Sequence, residues 1–572
     1  MKRESTCKRK PHRRQKNRVT GTVAIFLLAA LTFAAPYLSA GRDKKDKNKT
    51  AESSKALKGL PIQGLTENEA ILQALNRLGF GPRPGDIERV KAMGLQRWID
   101  QQLHPESIDD AALEARLDHF PTLKMSSSKL LDEFPPPQIA ARREGVSVEE
   151  YQKEQQARMR EALQANREQP GQNQMNSGNP MSNYADIRTP QRIVADLSMA
   201  KVTRAVYSER QLDEQMVDFW YNHFNVFAAK GADRWLITSY ERDVIRPHTM
   251  GKFRDLLEAT AKSPAMMFFL DNWLSADPVA WANLQQEQQQ RRGNPNGPNA
   301  TGKQPQERGL NENYGRELME LHTLGVDDGY TQQDVINVAK SFTGWTIRQP
   351  QRDPEFFFDE RIHDASAKTV LGHQIHAGGM KDGEEVLDLL ARDPHTARHI
   401  SFELAQRFVS DNPPAALVER MARTFLKTDG DIREVLHTMI YSPEFWSKDS
   451  YRAEIKTPFE LVVSATRAVG AEVDTPLLLV QWTNRIGQPL YQCEPPTGYS
   501  DKGDAWVNTG ALLNRMNFSL ALTANRLRGT RVDIETLFGN QTEADPHATL
   551  DRAVQVLLAG QASPQTRDTL EK

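Results

Sequence analysis

Apolar residues recur at helical spacing along most of this chain, most clearly between Asn311 and Thr346. There Tyr314, Leu318, Leu321 and Leu324 fall at i, i+4, i+7 and i+10, one face of a helix. At about 100° per residue, Glu317 and His322 stand on the two edges of that stripe, with Arg316 and Glu320 on the far side. Gly325 supplies a stop and Asp327-Asp328-Gly329 a turn. Thr331 and Asp334 have capping-box spacing and open a second helix, with Val335, Val338, Ala339 and Phe342 as its stripe and Gly344 at its end.

The same period predicts helices elsewhere. Thr66 with Glu69 marks a helix start, followed by a turn at 80–86 and a second helix holding Ile87, Val90, Leu95 and Trp98. Residues 107–168 read as charged helix interrupted by Pro135-Pro136-Pro137. One long helical stretch is expected over 193–227, with Val217, Trp220 and Phe224 on one face and His223 beside them. Further helices are expected over 235–246, 253–270, 384–392, 395–409, 415–426, 432–441, 456–469, 509–528 and 548–559. Phe356-Phe357-Phe358 and 368–372 are the only candidates for short strands. Segments 169–189 and 277–310, rich in Gln, Asn, Gly and Pro, read as long polar loops. The fold class expected is mainly α: a large bundle-like helical body over 66–572, with long polar insertions and few or no strands.

Charge changes the picture at the N-terminus. The formal net charge of −2 divides into +8 over residues 1–20 and −10 over 41–572, with nothing charged between. A basic segment followed by the apolar run Gly21–Ala40 is the layout of an export signal, either cleaved near Ala40 or retained as a single-pass anchor with the N-terminus cytoplasmic. Residues 41–65 then read as a disordered tether, and the chain is expected in the periplasm or cell envelope. The acidic remainder argues against nucleic-acid binding, which needs Lys and Arg against phosphates. Cys7 and Cys493 lie on opposite sides of the apolar run, so neither a disulfide framework nor a cysteine zinc site is expected.

Several blocks resemble a known bacterial family: FWYNHFNVFAAKG (219–231), SYERDVIRPHTMGKFRDLL (239–257), NENYGRELMELHTLGVDDGYTQQDV (311–335), KTPFELVVSA (456–465) and GQPLYQCEPPTGY (487–499). They look like the domain of unknown function 1800, DUF1800, from about Leu72 to the C-terminus. The resemblance implies an exported, mostly helical protein, often encoded beside an exported sulfatase-like family that would be its partner.

Two sets of residues are candidates for chemistry. His223, Asp243, Glu317 and His322, if they meet between helices, can share proton transfer or hold a divalent metal, giving an acid/base or metal-assisted hydrolase. The alternative is that His223 is a satisfied core histidine and Glu317 ties two helices. Arg242, Arg246 and Arg316, with Arg407, can clamp a sulfate, phosphate or carboxylate. The alternative is local pairing, Arg242 with Thr238 or Glu241 and Arg316 with Glu320. Calcium at Asp327-Asp328-Gly329 fails the EF-hand pattern, because Gly329 takes the third position and Val338 the twelfth. Tyr491, Tyr499, Trp506, Trp273 and Trp345 can stack on sugars or peptides, or pin loops to the core. With no complete catalytic motif, two readings stand: a binding or accessory protein for the exported partner, and a hydrolase centred on Glu317 and His322.

Overall fold

Helical periodicity is realised throughout the computed structural model, which describes residues 57–165, 189–292, 308–326, 329–350, 352–376, 378–538 and 546–571. The leader and apolar run at 1–40, the tether up to residue 56, the 169–188 loop and Asp327-Asp328 lie outside the described residues. Helices run from Glu67–Arg77 to Pro564–Glu571, and the strands among the described residues form three two-stranded antiparallel pairs. The fold is therefore mainly α. No helix among the described residues is long and apolar enough to cross a membrane.

One continuous set of buried apolar side chains extends from Leu65 to Val554. Leu57, Leu60 and Ile62 pack against it, so the last part of the expected tether is attached to the body. Both predicted capping boxes form: Thr66 accepts from the Glu69 amide and Thr331 from the Asp334 amide, with each acid returning the bond. Phe356-Phe357-Phe358 pairs with Trp345–Ile347, and Lys368–Val370 pairs with His373–Ile375.

The differences from expectation have local causes. The 193–227 stretch is two helices, Gln191–Tyr207 and Gln211–His223. The break is held by tertiary bonds: Ser208 Oγ donates to Asp110 Oδ2 at 2.6 Å and the Glu209 amide to Asp110 Oδ1 at 3.0 Å. The 253–270 stretch divides at Pro264, which opens its own helix at N1 behind the Ser263 cap. The polar segment expected as a loop at 277–310 begins with a helix, Pro278–Arg292; residues 293–307 are outside the described set.

In the 312–326 stretch the helix ends at Glu320 and loosens. The amides of His322 and Leu324 reach back five residues, to the carbonyls of Glu317 and Met319. Leu321 consequently leaves the stripe and is half-buried, while His322 turns inward to 2% exposure beside Leu324. Gly315 is where this helix crosses Gln332–Ser341: a Cβ there would lie 3.0 Å from the Ala339 amide nitrogen and the Val335 carbonyl oxygen.

Candidate functional site

The Gln211–His223 helix buries Met216, Val217, Phe219 and Trp220 on its apolar side. Its other side is a polar edge, Glu214, Gln215, Asp218 and Asn222, at spacings of one, three and four. The groups on that edge hold three other parts of the fold. Glu214 takes both terminal nitrogens of Arg246, at 2.9 and 3.0 Å. Gln215 and Asp218 take Arg407 of the Pro394–Phe408 helix, at 2.8 and 2.9 Å. Asn222 pairs in both directions with the Tyr499 backbone, at 2.8 Å each, and Asn225 donates to the carbonyls of Cys493 and Pro495. The FWYNHFN block is therefore the clamp for the Gly487–Gly503 loop. Gly498 fits only as glycine: its φ is 68° and a Cβ would meet the Asn222 carbonyl oxygen at 2.4 Å. Tyr491 also has positive φ, 61°, and its hydroxyl donates to Glu241 Oε2 at 2.5 Å.

Inside this clamp lies a buried charge cluster. Arg407 faces Asp218, Glu460 at 3.2 Å and Asp501 at 3.6 Å. Lys201 pairs with the second oxygen of Asp218 at 2.6 Å, and its ammonium lies over the rings of Tyr491, Phe459 and Tyr221. A cavity of about 30 Å³, room for one or two waters, opens between Lys201, Asp218, Arg407, Tyr499 and Asp501. Three carboxylates share two cations here. Asp218 lies below the usual carboxylate range: burial works against its charge, but Lys201 and Arg407 outweigh it. Asp501 is the acid left over: burial pushes it up to about 7, with Glu403 and Asp218 adding repulsion.

His223 sits at the far end of the same helix. Its Nδ1 is 2.6 Å from Glu403 Oε2 and its Nε2 is 3.3 Å from the His322 carbonyl oxygen. Both ring nitrogens face acceptors, so both bonds form together only in the imidazolium. Glu403 is also 3.5 Å from His399 and is held below its ordinary range by His223 and His399 despite burial. The His322 ring lies 6.1 Å from that of His223 and 5.0 Å from Phe224. Burial keeps it neutral, well below the usual imidazole range, and the nearby His223 adds to this.

His223 and His322 are thus adjacent, whereas Asp243 is exposed and joined two-pronged to Arg242 at 2.7 and 2.6 Å. Glu317, one turn before His322, is half-buried, and its carboxylate has no hydrogen bond or ion pair among the described residues. Burial raises it, with Glu320 contributing. Among the described residues, no three His, Cys, Asp or Glu side chains are arranged to hold a metal.

The arginines proposed as an anion clamp are spent on other partners. Arg242 also donates to the Leu123 and Met125 carbonyls rather than to Thr238 or Glu241. Arg316 donates to Gln332 at 2.8 Å and lies 3.9 Å from Glu312, not on Glu320. Arg246 bonds Glu241 as well as Glu214, because a π turn at Tyr240–Ile245 puts residues five apart on one side. The aromatic loop residues pin the loop: Tyr499 donates to the Pro489 carbonyl and Trp506 to the Ser500 carbonyl, while Trp345 is fully buried and Trp273 stacks on Phe268.

Sequence reasoning missed Lys201, Asp218, Glu403, Glu460 and Asp501. A signal for one of them existed: His399, Glu403 and Arg407 recur at i, i+4 and i+8, a line of ionisable groups along one side of a single helix.

The leftover acid gives a pH test. The fold holds Asp501 near 7 against an ordinary 3.8, so between those values the folded state keeps a proton that the unfolded chain has released. Stability therefore falls as pH rises from about 4 to about 7 and levels off above. Asp501→Asn should abolish that fall and be more stable than the parent at pH 8, by on the order of a few kcal/mol, when urea midpoints are compared at pH 5 and pH 8.

The molecule is a helical scaffold with a buried, cross-helix network of charges at its centre. The model of the family described as "Protein of unknown function (DUF1800)" matches residues 73–572, and the chain belongs to that family. Neither the curated proteins nor the solved structures returned a match.

Proposed function

We propose that this DUF1800 protein is an exported envelope protein that binds or assists an exported, sulfatase-like partner. The observation that carries this reading is that the charged groups a catalytic centre would use are tied to one another, some within one segment and some across helices. Arg246 is held by Glu214 and Glu241, Arg407 by Asp218 and Glu460, and Asp243 by Arg242. Such a network fixes a rigid surface, which suits recognition. The basic segment before the apolar run at 21–40 supports export, with cleavage or membrane retention as its two outcomes. The test is native purification of the tagged full chain from the envelope fraction. Stoichiometric recovery of a sulfatase-like protein is the expected result; a solitary chain defeats the reading.

A second reading, acid/base hydrolysis around Glu317 and His322, is favoured by one observation: the Glu317 carboxyl is raised by burial and is free of hydrogen-bond and ion-pair partners among the described residues. A hydrolytic activity abolished by Glu317→Gln, with unchanged thermal melting, would establish it over the first.

A further inference from the structure

A second opening, far larger than the one beside Asp501, lies between the Glu67–Arg77 helix, the turn into Asp86–Met93, the Pro458–Ala468 helix and the Pro546–Leu558 helix. Its volume is about 1120 Å³, at the upper end of small-molecule sites. Its walls carry apolar side chains, among them Leu72, Ile87, Leu461 and Val556.

The cations lining this cleft are not equally neutralised. Arg77 is bound to Glu454, and Arg83 to Glu209. Among the described residues, Lys456 and Arg515 have no carboxylate within ion-pair distance. The Lys456 ammonium donates only to Asn76 Oδ1, at 3.0 Å. Arg515, 1% exposed, donates to the carbonyls of Lys456 and Trp506, and its Nε is buried with no partner. The nearest acid, Glu460, is committed elsewhere: one oxygen is on Arg407 and the other accepts from the Thr457 amide at 2.9 Å. Arg515 bonds the Lys456 backbone carbonyl, and these two cations in a cleft of mixed apolar and polar walls, with Glu460 turned away, cost solvation energy that a bound anion would return.

We propose that this cleft binds an organic anion with an apolar body, its carboxylate or phosphate head against the Lys456 ammonium and Arg515 supplying positive field from behind. The site is separate from the cluster around Asp501 and goes beyond the partner reading. Burial has already weakened both cations, Lys456 down to about 8 and Arg515 down to about 10. Around Lys456, Glu460 favours its charge, while Arg77 and Arg467 oppose it. Asp86 lies on Arg467 and Glu454 on Arg77, so both of these acids are also spent. An anion at Lys456 would hold its proton on.

The experiment is calorimetric titration of the full chain with decanoate, decyl phosphate, decanol and inorganic phosphate. Both amphiphilic anions should bind, at least about tenfold more tightly than decanol or phosphate alone. The preferred head group tells a carboxylate source from a phosphate one. Binding of decanoate should take up protons at alkaline pH, seen by comparing buffers of different ionisation enthalpy. Lys456→Met should weaken binding at least about tenfold, Lys456→Arg should retain it, and Arg452→Gln on the exposed rim should leave it unchanged. Absence of binding by every probe overturns the proposal, as does equal binding by Lys456→Met. Equal losses from Arg452→Gln and Lys456→Met would mean diffuse attraction and overturn it too. Should Lys456→Met not fold, Lys456→Gln takes its place, and binding equal to the parent's overturns the proposal.

Discussion

Arg407→Ala should destabilise the chain by about 3–5 kcal/mol, the cost of leaving buried charges without their partner. The guanidinium is nearly inaccessible and faces Asp218, Glu460 and Asp501. Those acids hold it well above the ordinary arginine range despite burial, Glu460 and Asp218 most strongly. With Arg407 removed, Lys201 still neutralises Asp218, while Glu460 and Asp501 lose the cation they share. Urea denaturation checks the loss. The decisive comparison is the double variant: adding Asp501→Asn to Arg407→Ala should recover part of the loss, because one uncompensated acid disappears. No recovery would mean that the loss comes from packing around the arginine stem.

Arg246→Ala should cost a similar amount, about 3–5 kcal/mol, through a different pair of acids. Glu214 and Glu241 are both buried and both bonded to Arg246, and Glu241 also receives the Tyr491 hydroxyl. Removal would leave two like charges together and release the anchor of the 487–503 loop. Arg246→Lys should recover only part of the stability, because an ammonium cannot make the paired bonds to Glu214. The readouts are urea midpoint and protease cleavage within the loop; full recovery by lysine would show that charge alone is needed.

The two substitutions bear on what could be read beforehand. His223 and His322 stood out as ionisable groups at the edges of apolar stripes, and both are buried side by side. Their role changed on folding. The carboxylate on His223 is Glu403, nearly two hundred residues away, and not Asp243. Asp243, a candidate if it met the histidines between helices, is claimed at the surface by its neighbour Arg242. Glu241, Arg242, Asp243 and Arg246 are spaced for local ion pairs, and Arg246 does pair with Glu241, through a π turn that regular helical spacing does not supply. Asp501 gave no sign, since a single acid in a loop rich in Pro and Gly has no period.

What the sequence by itself determined is local: the helical class, the capping boxes at Thr66 and Thr331, and the short strands near 357 and 369. These follow from apolar period and backbone preference, which act within a few residues. Only the tertiary structure decided which charges meet, where the 191–223 stretch breaks, and that Lys456 and Arg515 lack an acid among the described residues. Charge pairing depends on distances between helices remote in sequence, and burial then sets its strength. Neither quantity is written in the order of residues along a single helix.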